Sequence, residues 1–215
     1  MTAIRWHAWS ALAGAALASA LAVGLVDAAQ AEQERVPSEF AIDFETSAGP
    51  FTIQVVRDWA PLGAARVFLL IRNGFYDGRR FFRVAPGFGV QFGISGDPAV
   101  SAAWRGARLG VDRVRRSNKP MFVTMAMGTG PDTRTTQLFI NLADNRKLDA
   151  HGFAPLGWVT KGQDVVRRLY SGYLGDGAVE GGPEQWRMQL EGNAYLQREF
   201  PRLDHVIHAT IRAQR

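Results

Sequence analysis

The run Phe81-Phe82-Arg83-Val84-Ala85-Pro86-Gly87-Phe88-Gly89-Val90-Gln91-Phe92-Gly93 concentrates residue types able to do chemistry. Apolar stretches on either side of Pro86-Gly87 read as two short strands joined by a turn. Such a turn brings Arg83, Phe88 and Gln91 together, setting a permanent cation and an amide beside a large aromatic ring. Taken alone, the grouping fits a surface cation–π contact as readily as a binding site. A second run, Met125-Ala126-Met127-Gly128-Thr129-Gly130-Pro131, ends a strand in small residues and turns through glycine and proline. A new strand then begins at Gln137-Leu138-Phe139.

Several reaction classes are removed by what is missing. With no cysteine in 215 residues, there is no disulfide framework, thiolate metal site, thiol nucleophile or cysteine-borne lipid anchor. The four histidines are His7, His151, His205 and His208. The last two stand three apart in a strand-like segment and so face opposite sides, which disfavours a shared metal. No G-x-S-x-G elbow, P-loop or complete G-x-G-x-x-G occurs, and Gly128-Thr129-Gly130 reads as a plain loop. Neither metal nor cofactor is expected. A net charge of +5 and a pI near 10.1 make the chain basic, but charge alone does not select a partner. Arg105, Arg108, Arg113, Arg115, Arg116 and Lys119 read as a solvated basic loop.

The elements that must position these residues follow from periodicity. Residues 40–46 and 51–56 alternate apolar and polar around Ser47-Ala48-Gly49-Pro50, a hairpin pattern. Ala64, Val67, Phe68 and Ile71 fall at helical spacing between Pro61 and Gly74. Short strand-like runs follow at 80–84, 89–92, 121–125, 138–141 and 156–159, then a second helix at 163–170 and a closing strand at 204–212. Hydrophobic content of 47% with 21% charged residues is that of an ordinary globular domain. Many short strands with one early and one late helix predict a mainly β fold, a closed antiparallel β-barrel of eight strands capped by two α-helices. A partly helical extension, residues 172–201, precedes the last strand.

Together, the run Arg83-Val84-x-Pro86-Gly87-Phe88-x-x-Gln91 and the segment 125–141 resemble the cyclophilin family of peptidyl-prolyl cis/trans isomerases. Asn145-Arg146-Lys147-Leu148-Asp149 and Phe153-Ala154-Pro155-Leu156-Gly157-Trp158-Val159 continue the resemblance in the family's order, over residues 40–170 and the final strand. Position by position, it implies Arg83 and Gln91 as catalytic residues, Phe88 and Phe139 as walls of a proline pocket, and Ala126, Gln137, Leu148 and Phe153 as lining of the peptide groove. Three positions depart from the family pattern. Lys147 stands where many members carry Trp or another aromatic. Met127 replaces a frequent Asn, and Phe153 falls where His is usual, after a one-residue insertion. The extension is longer than the common family core. The implied activity is isomerisation of X-Pro bonds in exported proteins. The alternatives are a non-catalytic Pro-peptide-binding chaperone or assembly module on the same barrel, and an apolar-ligand carrier with a hollow interior.

Residues 1–31 have the three parts of an export signal: Arg5, an apolar run over 11–26, and the small-residue triplet Ala29-Gln30-Ala31. Residues 32–39 then form a flexible lead-in and 40–215 the isomerase domain. The implied protein is periplasmic or secreted and monomeric. It takes Pro-containing polypeptides as clients, binds no nucleic acid, and keeps no stable membrane insertion after signal cleavage. The exported protein is expected to begin at Glu32. Its intact mass tests this, and a mass retaining residues 1–31 would overturn it.

Overall fold

The computed structural model of the protein describes residues 36–130, 132–173 and 181–212. The export-signal reading of 1–31, residues 32–35 of the lead-in and residues 174–180 of the extension lie outside the described residues. The chain opens with β1 (Glu39–Thr46) and β2 (Phe51–Val56). They pair antiparallel with Phe40 opposite Val55, Ile42 opposite Ile53 and Phe44 opposite Phe51. Period-two alternation turns Phe40, Ile42 and Phe44 inward, where each is almost fully buried.

A short 3-10 turn, Arg57–Trp59, leads into α1 (Pro61–Arg72). Its Gly63, Ala64, Val67, Leu70 and Ile71 form the buried stripe. Ala60 offers the first turn no side-chain cap. Asp112, far along the chain, supplies it instead: its carboxylate accepts from Leu62 N–H at 3.0 Å and Gly63 N–H at 2.9 Å. A negative charge suits the positive end of the helix dipole. The same carboxylate lies 3.7 Å from the guanidinium of Arg134, and both side chains are almost wholly buried. Arg134 also donates to Gly110 O at 2.7 Å. Asp112 and Arg134 thereby pin the loop after residue 105 against α1.

The remaining strands are β3 (Arg83–Ala85), β4 (Gly89–Phe92), β5 (Phe122–Met125), β6 (Leu138–Asn141), β7 (Pro155–Lys161) and β8 (Val206–Arg212). They form one eight-stranded sheet in the order β3-β4-β6-β5-β7-β2-β1-β8. Every pairing is antiparallel. The sheet corrects the expected closed barrel. It is an open, curled half-barrel whose edges stand 13 Å apart, far beyond the ~4.8 Å of paired strands. The edge strand β3 has only three residues. The chain ahead of it reaches the start of β8 at one end alone, through a single bridge between Arg80 and His205. Phe81 N–H to Asp204 O at 2.9 Å and Gly78 N–H to Val206 O at 2.8 Å accompany that bridge.

Aromatic side chains fill the concave face. Phe92 meets Phe44 at 5.8 Å, Phe81 at 5.1 Å and Tyr76 at 5.7 Å between ring centroids. Phe44 stacks on Phe51 at 4.9 Å. Tyr76 is fully buried and donates to Thr136 O at 2.8 Å, and burial pushes its phenol well above the ordinary range. The hollow that a ligand carrier needs is therefore occupied by packed rings.

The two expected capping helices are α1 and a later one, Gln163–Arg168. Between them lies a helix that periodicity does not disclose, α2 (Pro98–Arg105), with α3 then being Gln163–Arg168. Asp97 caps α2 by accepting from Ala99 N–H at 2.8 Å, yet Ser101 is its one buried residue. It has no apolar stripe to read. The extension contributes α4 (Gln185–Glu191) and α5 (Asn193–Glu199). Met188, Tyr195 and Leu196 dock on Phe82 and Ile94, with Leu203 completing the cluster. Arg187 bonds to Glu191 and Glu199, and Arg198 joins both carboxylates. Hydrogen bonds from Arg187, then Arg198, lower the Glu191 carboxyl to about 2. Among the described residues, no helix is long and apolar enough to cross a membrane.

Asp112→Ala removes the cap of α1 and strands the buried Arg134 charge. It is expected to lower the unfolding free energy by about 3–5 kcal/mol, the cost of halving a buried pair. Equilibrium urea unfolding measures this, and a loss of less than about 1 kcal/mol, an ordinary surface effect, would overturn the role given to the pair.

Candidate active site

Register alone carries one row of side chains across the sheet. Arg83 stands opposite Gln91, Gln91 opposite Phe139, and Phe139 opposite Thr124. Directly opposed residues project from the same face, so Arg83, Gln91 and Phe139 are neighbours although their segments are distant in sequence. The turn between β3 and β4 adds Phe88. Gly87 takes the left-handed conformation there, at φ +75°, which permits the tight reversal. The Arg83 guanidinium carbon then lies 5.2 Å over the Phe88 ring.

Phe88 and Phe139 lie parallel with centroids 6.4 Å apart, and Phe153 meets Phe139 edge-on at 5.7 Å. With Leu148 and Ala126 they border a pocket of about 100 Å³, closed by Arg83, Gln91, Met127 and Gly89. That is room for several waters, an amount that one small ring displaces. A side chain at Gly89 would approach Ile140 O to 2.9 Å, so glycine there lets β4 lie flat under the pocket.

The Arg83 side chain makes no hydrogen bond and no ion pair among the described residues, and its Nε is buried without a partner. Buried Nε atoms of Arg79, Arg80 and Arg134 also lack partners. None of those three lines the pocket, and Arg80 and Arg134 donate through other nitrogens. Arg83 alone directs unused donors beside the apolar pocket. Gln91 lines the pocket and is held by its Nε2 donating to Gln137 Oε1 at 2.7 Å. Gln137 borders an adjoining hollow rather than the proline-sized pocket itself. Lys147 is exposed on the 3-10 turn Arg146–His151, one residue from Leu148.

A set of residues that sequence reasoning passed over holds this pocket in shape. Asn118, Asn141 and Asn145 are buried almost completely. Asn145 Nδ2 donates to Phe88 O and to Asn141 Oδ1, both at 2.8 Å. Asn118 Nδ2 donates to Asp149 Oδ1 at 2.7 Å and Phe153 O at 2.8 Å, and its Oδ1 accepts from Thr124 at 2.8 Å. Burial alone would raise the Asp149 carboxyl, but hydrogen bonds from Ser117 and Asn118 hold it below its ordinary value. The amides thus grip the backbone of Phe88 and Phe153. Buried asparagine is unusual in a core, and the dipeptide Asp144-Asn145 before the 3-10 turn was the available signal.

A larger hollow of about 410 Å³ lies over β1, β2 and β8. Its Asp43 is already bonded to Thr52 and Arg212, so its charge is spent within the fold. Of the cations on its lining, Arg212 is bonded to Asp43, while Lys161 stands beside Phe44 and Phe51 without the paired aromatic rings that flank Arg83.

A family model described as cyclophilin type peptidyl-prolyl cis-trans isomerase/CLD matches residues 41–186. The chain belongs to the cyclophilin family. It is a peptidyl-prolyl cis-trans isomerase acting on Pro-containing peptide bonds. A peptidyl-prolyl cis-trans isomerase of Acinetobacter baylyi is 33% identical over 137 residues, covering 60% of this chain and 70% of that relative. Peptidyl-prolyl cis-trans isomerase A of Dickeya dadantii is 34% identical over 129 residues, 58% of this chain and 67% of the relative. A solved cyclophilin of Cryptosporidium parvum shares the fold at a TM-score of 0.60 and 14% identity, covering 82% of this chain and 99% of that one.

Asn145→Ala leaves Asn141 Oδ1 without a donor and Phe88 O with the Leu142 N–H alone. The expected cost is about 1–3 kcal/mol of stability, together with weaker binding of a Pro-containing peptide as Phe88 loosens. Urea unfolding and calorimetric titration read the two. Unchanged peptide affinity would remove Asn145 from the support of the pocket.

Proposed function

We propose that this cyclophilin accelerates X-Pro isomerisation in exported proteins, with Arg83 stabilising the twisted amide and Gln91 positioned beside it. Resonance sets a barrier of ~18–20 kcal/mol to rotation about a peptide bond. The two isomers of an X-Pro bond differ by only ~0.5–1 kcal/mol. The task is to lower the barrier, since the end states barely differ. As the bond twists, the prolyl nitrogen loses conjugation and its lone pair becomes a hydrogen-bond acceptor. A guanidinium aimed at that nitrogen binds the twisted state better than either planar one, which raises rate rather than affinity.

The observation that carries this reading is the unpartnered Arg83 Nε beside the apolar pocket. Phe88, Phe139, Leu148 and Phe153 hold the pyrrolidine ring while the acyl side turns against it, and Ala126 and Gln137 border the adjoining backbone. No bond is made or broken, so no nucleophile, general acid or bound group enters the step. The assignment to exported clients rests on the signal-like residues 1–31.

Arg83→Ala is expected to slow exchange of a Pro-containing peptide by at least about 100-fold, roughly 2.7 kcal/mol of barrier, the scale of one lost transition-state donor. Peptide affinity is expected to change far less. Phe139→Ala, which opens the pocket, is expected to weaken both. Exchange NMR on a single peptide measures rate and affinity for the two variants. An unchanged exchange rate in Arg83→Ala would refute the assignment.

A further inference from the structure

Beside the proline-sized pocket lies a second hollow of about 240 Å³. The two share Gln91, Ala126 and Met127, so a peptide seated in the first runs past the second. The second is bordered by the amides of Gln91, Gln137 and Gln185 and the hydroxyls of Thr133 and Thr135. Among the described residues, no charged side chain lines it. Gln91 comes from β4 and Gln137 immediately precedes β6, but Gln185 is the first residue of α4 and belongs to the extension.

Gln185 is tied into the site. Its Oε1 accepts from Gln137 Nε2 at 3.1 Å, and Gln137 Oε1 accepts from Gln91 Nε2 at 2.7 Å. Three amides are thereby strung in a row from the extension to the strand that carries Gln91. The helix bearing Gln185 is firmly seated. Met188 is buried against the core cluster, and Arg187 is paired with Glu191 and Glu199. Asn193 N–H donates to Gly96 O at 2.9 Å. The close approach there is set by Gly192, where a side chain would come within 2.1 Å of Gly96 O. A rigid mount makes the rim of the second hollow a fixed selector rather than an adaptable one.

We propose that Gln185 is a specificity-determining residue, through which the extension favours clients carrying an uncharged hydrogen-bonding side chain next to the isomerised X-Pro unit. The proposal deepens the isomerase reading and rests on it. Amide and hydroxyl rims reward a side chain that donates and accepts, and penalise an apolar one that leaves them unpaired. Among the described residues of the lining, neither lysine nor glutamate in the client finds a counter-ion.

The test is a set of X-Pro peptides in which Ser, Gln, Leu, Glu or Lys replaces each flanking position in turn, with kcat/KM obtained by exchange NMR. At one position the wild type is expected to favour Ser and Gln over Leu by about fivefold, the worth of one hydrogen bond. Gln185→Ala is expected to collapse that ratio towards one through KM. Gln185→Glu keeps an acceptor for Gln137 and adds a charge, so it is expected to shift the preference to the Lys peptide and to lose that shift in high salt. Circular dichroism of both variants confirms folding, which the exposed position of Gln185 favours. A profile identical to wild type in both variants would overturn the role of Gln185. Arg83→Ala runs alongside: loss of activity there with no change in the Gln185 variants overturns this proposal alone. A wild type without isomerase activity overturns both.

Discussion

The pocket depends on a buried polar network that must be satisfied completely. Asn118, Asn141, Asn145, Asp149 and Thr124 exchange hydrogen bonds with one another and with the carbonyls of Phe88 and Phe153. In a low-dielectric interior each unmade bond is costly, so such a network has few alternative arrangements. Phe88 comes from a turn whose carbonyl takes one backbone bond from Leu142 N–H, and Phe153 from a loop outside the strands. The amides do for these two residues what sheet register does for Arg83, Gln91 and Phe139. An apolar pocket is fixed by polar groups behind it.

Arg83 shows the opposite condition, and the contrast is where function enters. Several cations of the structure are settled: Arg134 has Asp112 and Gly110, and Arg187 has two glutamates. Even half-buried Arg66 spans the carbonyls of Ala107 and Thr135, both at 2.8 Å. Arg83 has only the face of Phe88. A guanidinium left with unused donors beside an apolar wall is an expense that a bound amide nitrogen can offset.

Much of this was legible in the sequence because it is local. The hairpin of Phe40 to Val56 announces itself by alternation around a Gly-Pro turn, and α1 by the spacing of Ala64, Val67 and Ile71. The family motifs around Arg83 and Phe139 carried the pocket residues with them. What stayed hidden depends on distance or on weak periodicity. Nothing in Pro98–Arg105 buries an apolar stripe, so α2 went unread. Whether β3 meets β8 is decided by strand length and curvature, which a residue pattern does not encode, and a closed barrel was the wrong expectation. Gln185 lies 48 residues from its partner Gln137, in a polar segment whose composition gives no hint of a pocket. Asn118 and Asp149 look like ordinary loop residues until their 31-residue separation is folded away.

The pairing of the first strand with the last sets the order in which this molecule can be built. Asp43 on β1 and Arg212 on β8 are bonded across 169 residues, and six register pairs join those strands. Contacts so remote in sequence incur the largest loop-closure entropy and form late. Until the C-terminal strand arrives, β1 presents an unpaired hydrogen-bonding edge beside the aromatic interior that β8 helps to cover. An isomerase of prolyl bonds thus has a long-range closure of its own, and β1 stays open to misassociation until β8 pairs with it.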